Sequence, residues 1–237
     1  MSIPLFFAEH SYLAATLLGL VPVVLCYVWA REQRGRMALS GLILTLYSPG
    51  ASLSNGDYWN PHRLGGFGFG IEDMICGFSM GSLIWLAAEY PFRKRVQTGY
   101  LAPVFWGRIA TVSLSFTAGL VALWLGGFGS VSAEITMNLL LILALLALRR
   151  DYWPVTLGAA LIYTPYYCLV LFVVSWIFPE FFSLWNGPTL WGSRLFDLPW
   201  DEYTWVSSFA GSWALMIAYA LELRWQDAII TSPPDLI

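Results

Sequence analysis

Seven stretches of the sequence are apolar over lengths close to a membrane span, and they constrain the chain more than any other feature. They run over residues 7–30, 37–56, 71–90, 108–127, 131–148, 155–178 and 200–222. A helix needs about 20 mostly apolar residues to cross the hydrocarbon core of a bilayer. The second stretch is the weakest, because Ser48-Pro49-Gly50 interrupts it. The sequence therefore predicts an all-α membrane protein with seven transmembrane helices.

The composition excludes three other classes of protein. Of the 237 residues, 58% are hydrophobic and 11% are charged, and the formal net charge is -3. A soluble domain of this size could not bury so much apolar surface, and a disordered chain is poor in such residues. A nucleic-acid-binding chain would carry a basic footprint. We therefore expect a lipid bilayer as the environment and no nucleic-acid partner.

The basic residues support the count of seven spans. When seven spans are drawn, only Arg63 and Arg194 of the 12 Lys and Arg fall on one side. The other ten fall on the opposite side, which by the positive-inside rule is the cytoplasm. They are Arg31, Arg34, Arg36, Arg93, Lys94, Arg95, Arg108, Arg149, Arg150 and Arg224. We predict a multi-pass cell-membrane protein with its N-terminus outside and its C-terminus in the cytoplasm.

Short motifs recur in the same order in the two halves of the chain. The clearest pairs are Tyr47-Ser48-Pro49 with Tyr163-Thr164-Pro165, Trp59-Asn60 with Trp185-Asn186, and Glu72-Asp73 with Asp201-Glu202. We interpret residues 1–90 and 130–237 as two parallel three-helix repeats, helices 1–3 and helices 5–7. Helix 4, within residues 91–129, links them, so the prediction is a single membrane domain over residues 1–237.

Predicted helices 1, 3, 5 and 7 all start on the outer side, and each carries a carboxylate in its first two turns. These acids are Glu9, Glu72 with Asp73, Glu134, and Asp201 with Glu202. Ionisable groups within spans are costly and usually face the bundle interior, which makes them candidate functional residues. Acids at helix N-termini also meet the helix dipole favourably, and this purely structural role is the preferred interpretation for Glu9.

Helical spacing gives these acids different neighbours. Glu202 shares a face with Trp205, Phe209 and Trp213, and Glu134 lies one turn from Asn138. Repulsion and burial within an acidic pair favour a shared proton, whereas the helix dipole favours ionisation. The sequence leaves this balance open.

Residues that hold the common cofactors are scarce in this sequence. Lys94 is the single lysine and falls in a predicted cytoplasmic loop, which excludes a retinal Schiff base within a span. His10 and His62 are the only histidines, too few for a histidine-rich di-iron site. The glycine-rich segment 65–70 lacks the GxGxxG spacing of a dinucleotide site. We expect no metal and no cofactor, and chemistry that needs a proton donor, a dry pocket and aromatic faces.

Two segments resemble the lycopene cyclase domain family, in its flavin-free integral membrane form. They run from Asp57 to Asp73 and from Trp185 to Glu202. The family shows, once per half, a Trp-containing outer loop, a glycine, and Pro-x-Glu-Glu at the start of a span. This chain departs from that pattern, with Gly70 in place of the first proline and aspartates at 73 and 201. Its length, span count and duplication are similar to the fused, single-chain form.

The resemblance implies cyclisation of the ends of lycopene, a carotenoid polyene, without net redox change. An acid protonates a terminal alkene, the carbocation is attacked intramolecularly, and a base removes a proton. It implies Glu72, Asp73, Asp201 and Glu202 as proton donors and acceptors, and we add Glu134 with Asn138 as secondary polar contributors. Trp205, Trp213, Tyr47 and Tyr163 are candidate substrate-binding residues, because aromatic faces stabilise cations. Lipid-facing or interfacial packing is the alternative for each aromatic residue.

Three other functions fit the same sequence. A membrane terpene cyclase or hydratase would use the same protonation on another prenyl substrate. A carotenoid-binding subunit without activity would keep the fold but convert nothing. A transporter would also show parallel repeats, although its intramembrane acids would lie near the midplane rather than at one mouth. The sequence does not give the oligomeric state.

Overall fold

The computed structural model describes residues 6–7, 9–50, 57–64, 68–99, 102–185 and 191–226. Seven α-helices of 14 to 25 residues make up most of this part of the chain. They are α1 (Ser11–Trp29), α2 (Arg34–Tyr47), α3 (Ile71–Glu89), α4 (Ala102–Leu125), α5 (Ser130–Leu148), α6 (Trp153–Ile177) and α7 (Trp200–Ala220). Two short antiparallel pairs complete it: β1 (Val96–Thr98) with β4 (Leu223–Trp225), and β2 (Arg194–Leu195) with β3 (Leu198–Pro199).

Five of these helices, α1, α3, α4, α5 and α6, are long and apolar enough to cross a membrane. The largely helical chain with several apolar spans confirms the coarser sequence prediction and is consistent with a membrane protein. α2 has 14 residues and ends at Tyr47, so the span expected over 37–56 is shorter, and residues 51–56 lie outside the described ranges. α7 begins with acids and is rich in Trp, Tyr and Ser. Spans at α2 and α7 stay predictions.

The outer faces of the helices carry large apolar side chains. Leu125 of α4 and Trp176 of α6 are 86% and 85% exposed. Soluble monomers rarely expose contiguous apolar surface on this scale. Apolar side chains directed outward are what a helix surrounded by lipid tails requires.

Helices α3 and α7 form the centre of the molecule. α3 packs against α1, α2 and α6, and α7 packs against α4, α5 and α6. Small residues allow α2 and α3 to approach closely: Ser40 donates to the Gly81 carbonyl at 2.7 Å, and Ser82 donates to the Met37 carbonyl at 3.0 Å. A Cβ atom on Gly81 would lie 2.6 Å from the Ser40 carbonyl oxygen. Such small and hydroxyl-bearing residues are typical of helix contacts in membranes.

The charged residues separate to the two ends of the bundle. At the C-terminal ends of α3 and α7, Arg36 pairs with Glu89, and Arg108 donates to the Tyr219 carbonyl at 2.8 Å. Arg149 joins the same end by donating to the Leu223 carbonyl at 2.9 Å. At the N-terminal ends of α3 and α7, the arginines are Arg63 and Arg194. This distribution follows the two groups of arginines derived from the sequence.

The loops that carry the repeated Trp-Asn motif meet at that second end. Trp59 and Trp185 form an isolated antiparallel bridge, with their ring centroids 4.6 Å apart. Asp57 also accepts a hydrogen bond from the Ser130 backbone at 2.8 Å, which ties the first loop to the start of α5. Residues 65–67 and 186–190, which belong to the glycine-rich segment and to the second motif, lie outside the described ranges. The two loops therefore meet at the end of the bundle where α3 and α7 begin.

Candidate functional site

A cavity of about 350 Å³ lies among α2, α3, α4, α5 and α7, beneath the loop that carries Tyr58 and Trp59. Its wall is mostly apolar and aromatic, and its volume falls at the lower end of the roughly 300–1,000 Å³ usual for small-molecule sites. We call it the central cavity. Seven residues singled out from the sequence line it: Tyr47, Asp73, Glu134, Asn138, Glu202, Trp205 and Trp213.

Glu202 is held in the wall of the central cavity by neutral donors. Tyr167 donates to Oε1 at 2.6 Å, and Tyr58 and Trp185 donate to Oε2 at 2.7 and 2.9 Å. The residue is 2% exposed, and none of its hydrogen bonds to the described part of the chain comes from a cation. Burial and the Glu202 carboxylate raise the pKa of the Tyr58 phenol, which lies in the loop, well above its usual range. Tyr58 therefore keeps its proton and remains a donor.

Asp73, the matching acid of the first half, has a different environment. Arg63 donates to both of its oxygens, from Nε at 2.7 Å and from Nη2 at 3.0 Å. Tyr12 adds a hydrogen bond at 3.0 Å, and the Gly70 backbone adds one at 2.8 Å. Both side chains of this ion pair are almost fully buried. A bidentate arginine contact with two further donors fixes the position of the carboxylate.

Glu134 is the least engaged acid of the central cavity. Trp205 donates to its Oε2 at 2.6 Å, and the described residues give it no other hydrogen bond and no cation. Glu202 lies close enough to act on it electrostatically. A half-buried carboxyl that lines an apolar cavity without a counter-charge is costly to ionise, so these surroundings suit a group that carries a proton.

Stacked rings form one wall of the central cavity along α7. Trp205 stacks on Phe209 with centroids 5.2 Å apart and planes 4° apart, and Phe209 stacks on Trp213 at 6.0 Å. Tyr47 of α2 meets Trp213 edge to face at 5.8 Å and hydrogen-bonds to Ser113 of α4. The three α7 rings share a face, as their four-residue spacing predicts.

Three residues singled out from the sequence lie outside the central cavity. Glu72 accepts from the Leu64 backbone at 2.6 Å, and Asp201 accepts from the Trp191 backbone at 3.0 Å. Each therefore holds a loop, and each keeps one buried oxygen without a partner among the described residues. Tyr163 of α6 lines a separate cavity of about 60 Å³. The structure thus divides each acidic pair between the cavity and a loop.

Four important partners were not among the residues singled out from the sequence. They are Tyr12, Tyr58, Arg63 and Tyr167. Arg63 had a signal, since it is one of only two cations on the side of the acids, where an intramembrane carboxylate would seek a counter-charge. The three tyrosines had no such signal, because a chain with 12 tyrosines offers many equivalent donors.

The donor set of the described residues favours no metal. No group of three or more His, Cys, Asp or Glu in this part of the chain is placed to hold an ion.

No family model, no curated protein and no solved structure matches this chain.

Proposed function

We propose that this protein is a membrane cyclase that acts by acid–base catalysis on an isoprenoid polyene, with the carotenoid lycopene as first candidate. One observation carries the proposal. Glu134 and Glu202 face the same apolar, aromatic-walled cavity, and neither is paired with a cation among the described residues. Such a cyclisation needs a carboxylic acid that donates a proton to an alkene and a carboxylate that accepts a proton afterwards.

The chemistry divides between the two carboxyl groups. The Glu134 carboxyl gives its proton to a terminal alkene carbon, which leaves a tertiary carbocation. A second double bond of the same chain attacks the cation, and a carbon–carbon bond closes the ring. Loss of a neighbouring proton to a carboxylate restores an alkene, so the product is an isomer of the substrate. Three donors stabilise Glu202 as an anion, which places negative charge beside the cation.

The aromatic wall has two tasks in this mechanism. The faces of Trp205, Phe209 and Trp213 stabilise the passing carbocation, each by about 0.5–2 kcal/mol. Their apolar surface also excludes water, which would trap the cation as an alcohol. Tyr47 closes the wall opposite Trp213.

The remaining acids have supporting tasks in this proposal. Asp73 and Arg63 form a structural ion pair at the cavity mouth, and Glu72 and Asp201 hold loops. Asn138 lines the central cavity, whereas Tyr163 packs in the separate smaller cavity. The substrate reaches the cavity from the lipid bilayer, and no cofactor takes part.

We propose the matching architecture of seven spans in two parallel three-helix repeats linked by α4. The meeting of Trp59 with Trp185 supports it, because repeated motifs related by an axis along the membrane normal meet near that axis. The separation of the arginines supports an outer N-terminus and a cytoplasmic C-terminus.

The test is pigment analysis in a lycopene-producing host that expresses the full chain. We expect cyclised carotenoid from the unaltered protein and a loss of at least about a hundredfold in Glu134→Gln, the scale of lost acid–base catalysis. Glu180→Gln is the matched control, since this glutamate is exposed in the short 3-10 helix Pro179–Leu184. Unchanged turnover in Glu134→Gln would remove the proposed acid.

The volume of the cavity favours a second candidate, a cyclase or hydratase of a shorter prenyl chain. At about 350 Å³ the cavity holds only one end of a long carotenoid, whereas a shorter prenyl chain fits within it. Uncyclised lycopene, together with conversion of a short prenyl substrate, would favour this candidate.

A further inference from the structure

The central cavity has a polar position that the hydrocarbon chemistry leaves unused. Asn138 lies one turn from Glu134 on α5 and lines the cavity, although it is 2% exposed. The hydroxyl of Ser212 donates to its Oδ1 at 2.8 Å. Its Nδ2 has no partner among the described residues. A buried amide that is half satisfied is unusual in a folded protein and calls for a missing partner.

Most other polar groups on the cavity wall already have partners, although the buried Nε1 of Trp59 has none among the described residues. Arg63 engages Asp73, three donors engage Glu202, and Tyr47 hydrogen-bonds to Ser113. Glu134, by contrast, accepts from Trp205 through Oε2, and its Oε1 has no hydrogen bond to the described residues. One turn of α5 thus carries two side chains with unused hydrogen-bonding capacity.

We propose that Asn138 forms a polar subsite that binds a hydroxyl group of the ligand beside Glu134, so that the natural ligand is an oxygenated isoprenoid rather than the hydrocarbon lycopene itself. A hydroxyl both donates and accepts. Its oxygen can accept a hydrogen bond from the Asn138 amide, whereas a pure hydrocarbon cannot. The inference rests on the proposed function for the isoprenoid nature of the ligand and adds its polar group.

The fixed geometry of Asn138 supports this role. Ser212 of α7 donates to the amide oxygen, so the position of the amide is fixed before a ligand arrives. Sites built to hydrogen-bond a ligand hydroxyl discriminate against analogues that lack it, because the buried polar groups are then left unpaired. Asn138 would therefore determine specificity rather than rate.

The experiment compares two probes that differ only at this group. All-trans-retinol carries a terminal hydroxyl, and axerophthene has the same polyene with a methyl group in its place. Quenching of tryptophan fluorescence in the purified full chain gives both dissociation constants. We expect retinol to bind about tenfold more tightly than axerophthene, as one added hydrogen bond implies.

Asn138→Leu sharpens the comparison. This variant should bind retinol about tenfold more weakly and leave axerophthene unchanged, and unchanged hydrocarbon binding also shows that the cavity has folded. Asn60→Leu is the matched control, because it makes the same change at an exposed loop position.

Each outcome decides the inference. Equal affinities of the unaltered protein for the two probes would overturn it, whatever the variants show. An ordered water molecule that accepts the hydrogen bond of the Asn138 amide would give this result. Equal weakening of both probes in Asn138→Leu would overturn it too. Binding of neither probe would also overturn the inference. The proposed function is tested separately by cyclised product in the lycopene-producing host, so the two failures are distinguishable.

Discussion

Asp73 and Glu202 occupy the same position in the two repeated motifs, yet their surroundings differ in kind. Asp73 meets a guanidinium in a bidentate ion pair, whereas Glu202 meets two phenols and an indole. The charge of the first is neutralised by a partner within the protein. The second carboxyl group receives only neutral hydrogen-bond donors, and it lines the central cavity. Matched acids of two recurring motifs thus differ in whether an ion pair within the protein engages them.

The largest expected effect is on stability, at the ion pair. Arg63→Met leaves a buried carboxylate without its counter-charge, and breaking a buried pair in this way costs about 3–5 kcal/mol. We expect a fall of that size in the free energy of unfolding in detergent. Adding Asp73→Asn should restore much of it, because removing both charges avoids the unpaired one. A single variant as stable as the unaltered protein would contradict the structural role of the pair.

The next effect is on turnover, at the other acid. Glu202→Gln should lower cyclisation at least about a hundredfold, equivalent to about 2.7 kcal/mol of barrier, because the anion beside the cation is lost. Stability should change little, since the Tyr167 hydroxyl can turn from donating to accepting when it meets an amide. Product analysis and an unfolding curve on the same preparation check both halves of this prediction. Normal product yield from Glu202→Gln with a reduced free energy of unfolding would contradict the proposal, because Glu202 would then have a structural role like that of Asp73.

A smaller effect is expected from the donors of Glu202. Tyr167→Phe removes one hydrogen bond to a charged group, worth about 1.5–3 kcal/mol, while two donors remain. The unfolding free energy should therefore fall by less than in Arg63→Met. Tyr203→Phe is the matched control on α7, because the Tyr203 hydroxyl donates only to the Leu195 carbonyl. This variant should lower the free energy of unfolding by about 1 kcal/mol. A larger loss in the control would show that Glu202 is not charged in the resting protein.

Local periodicity predicted the parts of the site that belong to single helices. The four-residue spacing of Trp205, Phe209 and Trp213 gave their common face, and apolar length gave five helices able to span a membrane. Glu134 and Asn138 were placed together because one helical turn separates them. These features depend on backbone geometry that is the same in every α-helix.

Contacts across the chain could not be predicted in the same way. Tyr58 reaches Glu202 over 144 residues, and Ser212 reaches Asn138 over 74. Spacing within a helix also did not show which acid of each pair would face inward. Asp201 turns to the Trp191 backbone, whereas Glu202 enters the cavity, because loop donors on one side and aromatic neighbours on the other select the orientation.

The three donors of Glu202 come from both parts of the polypeptide. Tyr58 precedes the exposed turn at Arg93–Arg95, whereas Tyr167 and Trp185 follow it. A break at that turn would yield two fragments, and neither would contain all three hydrogen-bond donors of the Glu202 carboxylate. Formation of product would then require co-expression of both fragments. The contact between the indole rings of Trp59 and Trp185 would help to hold the two fragments together.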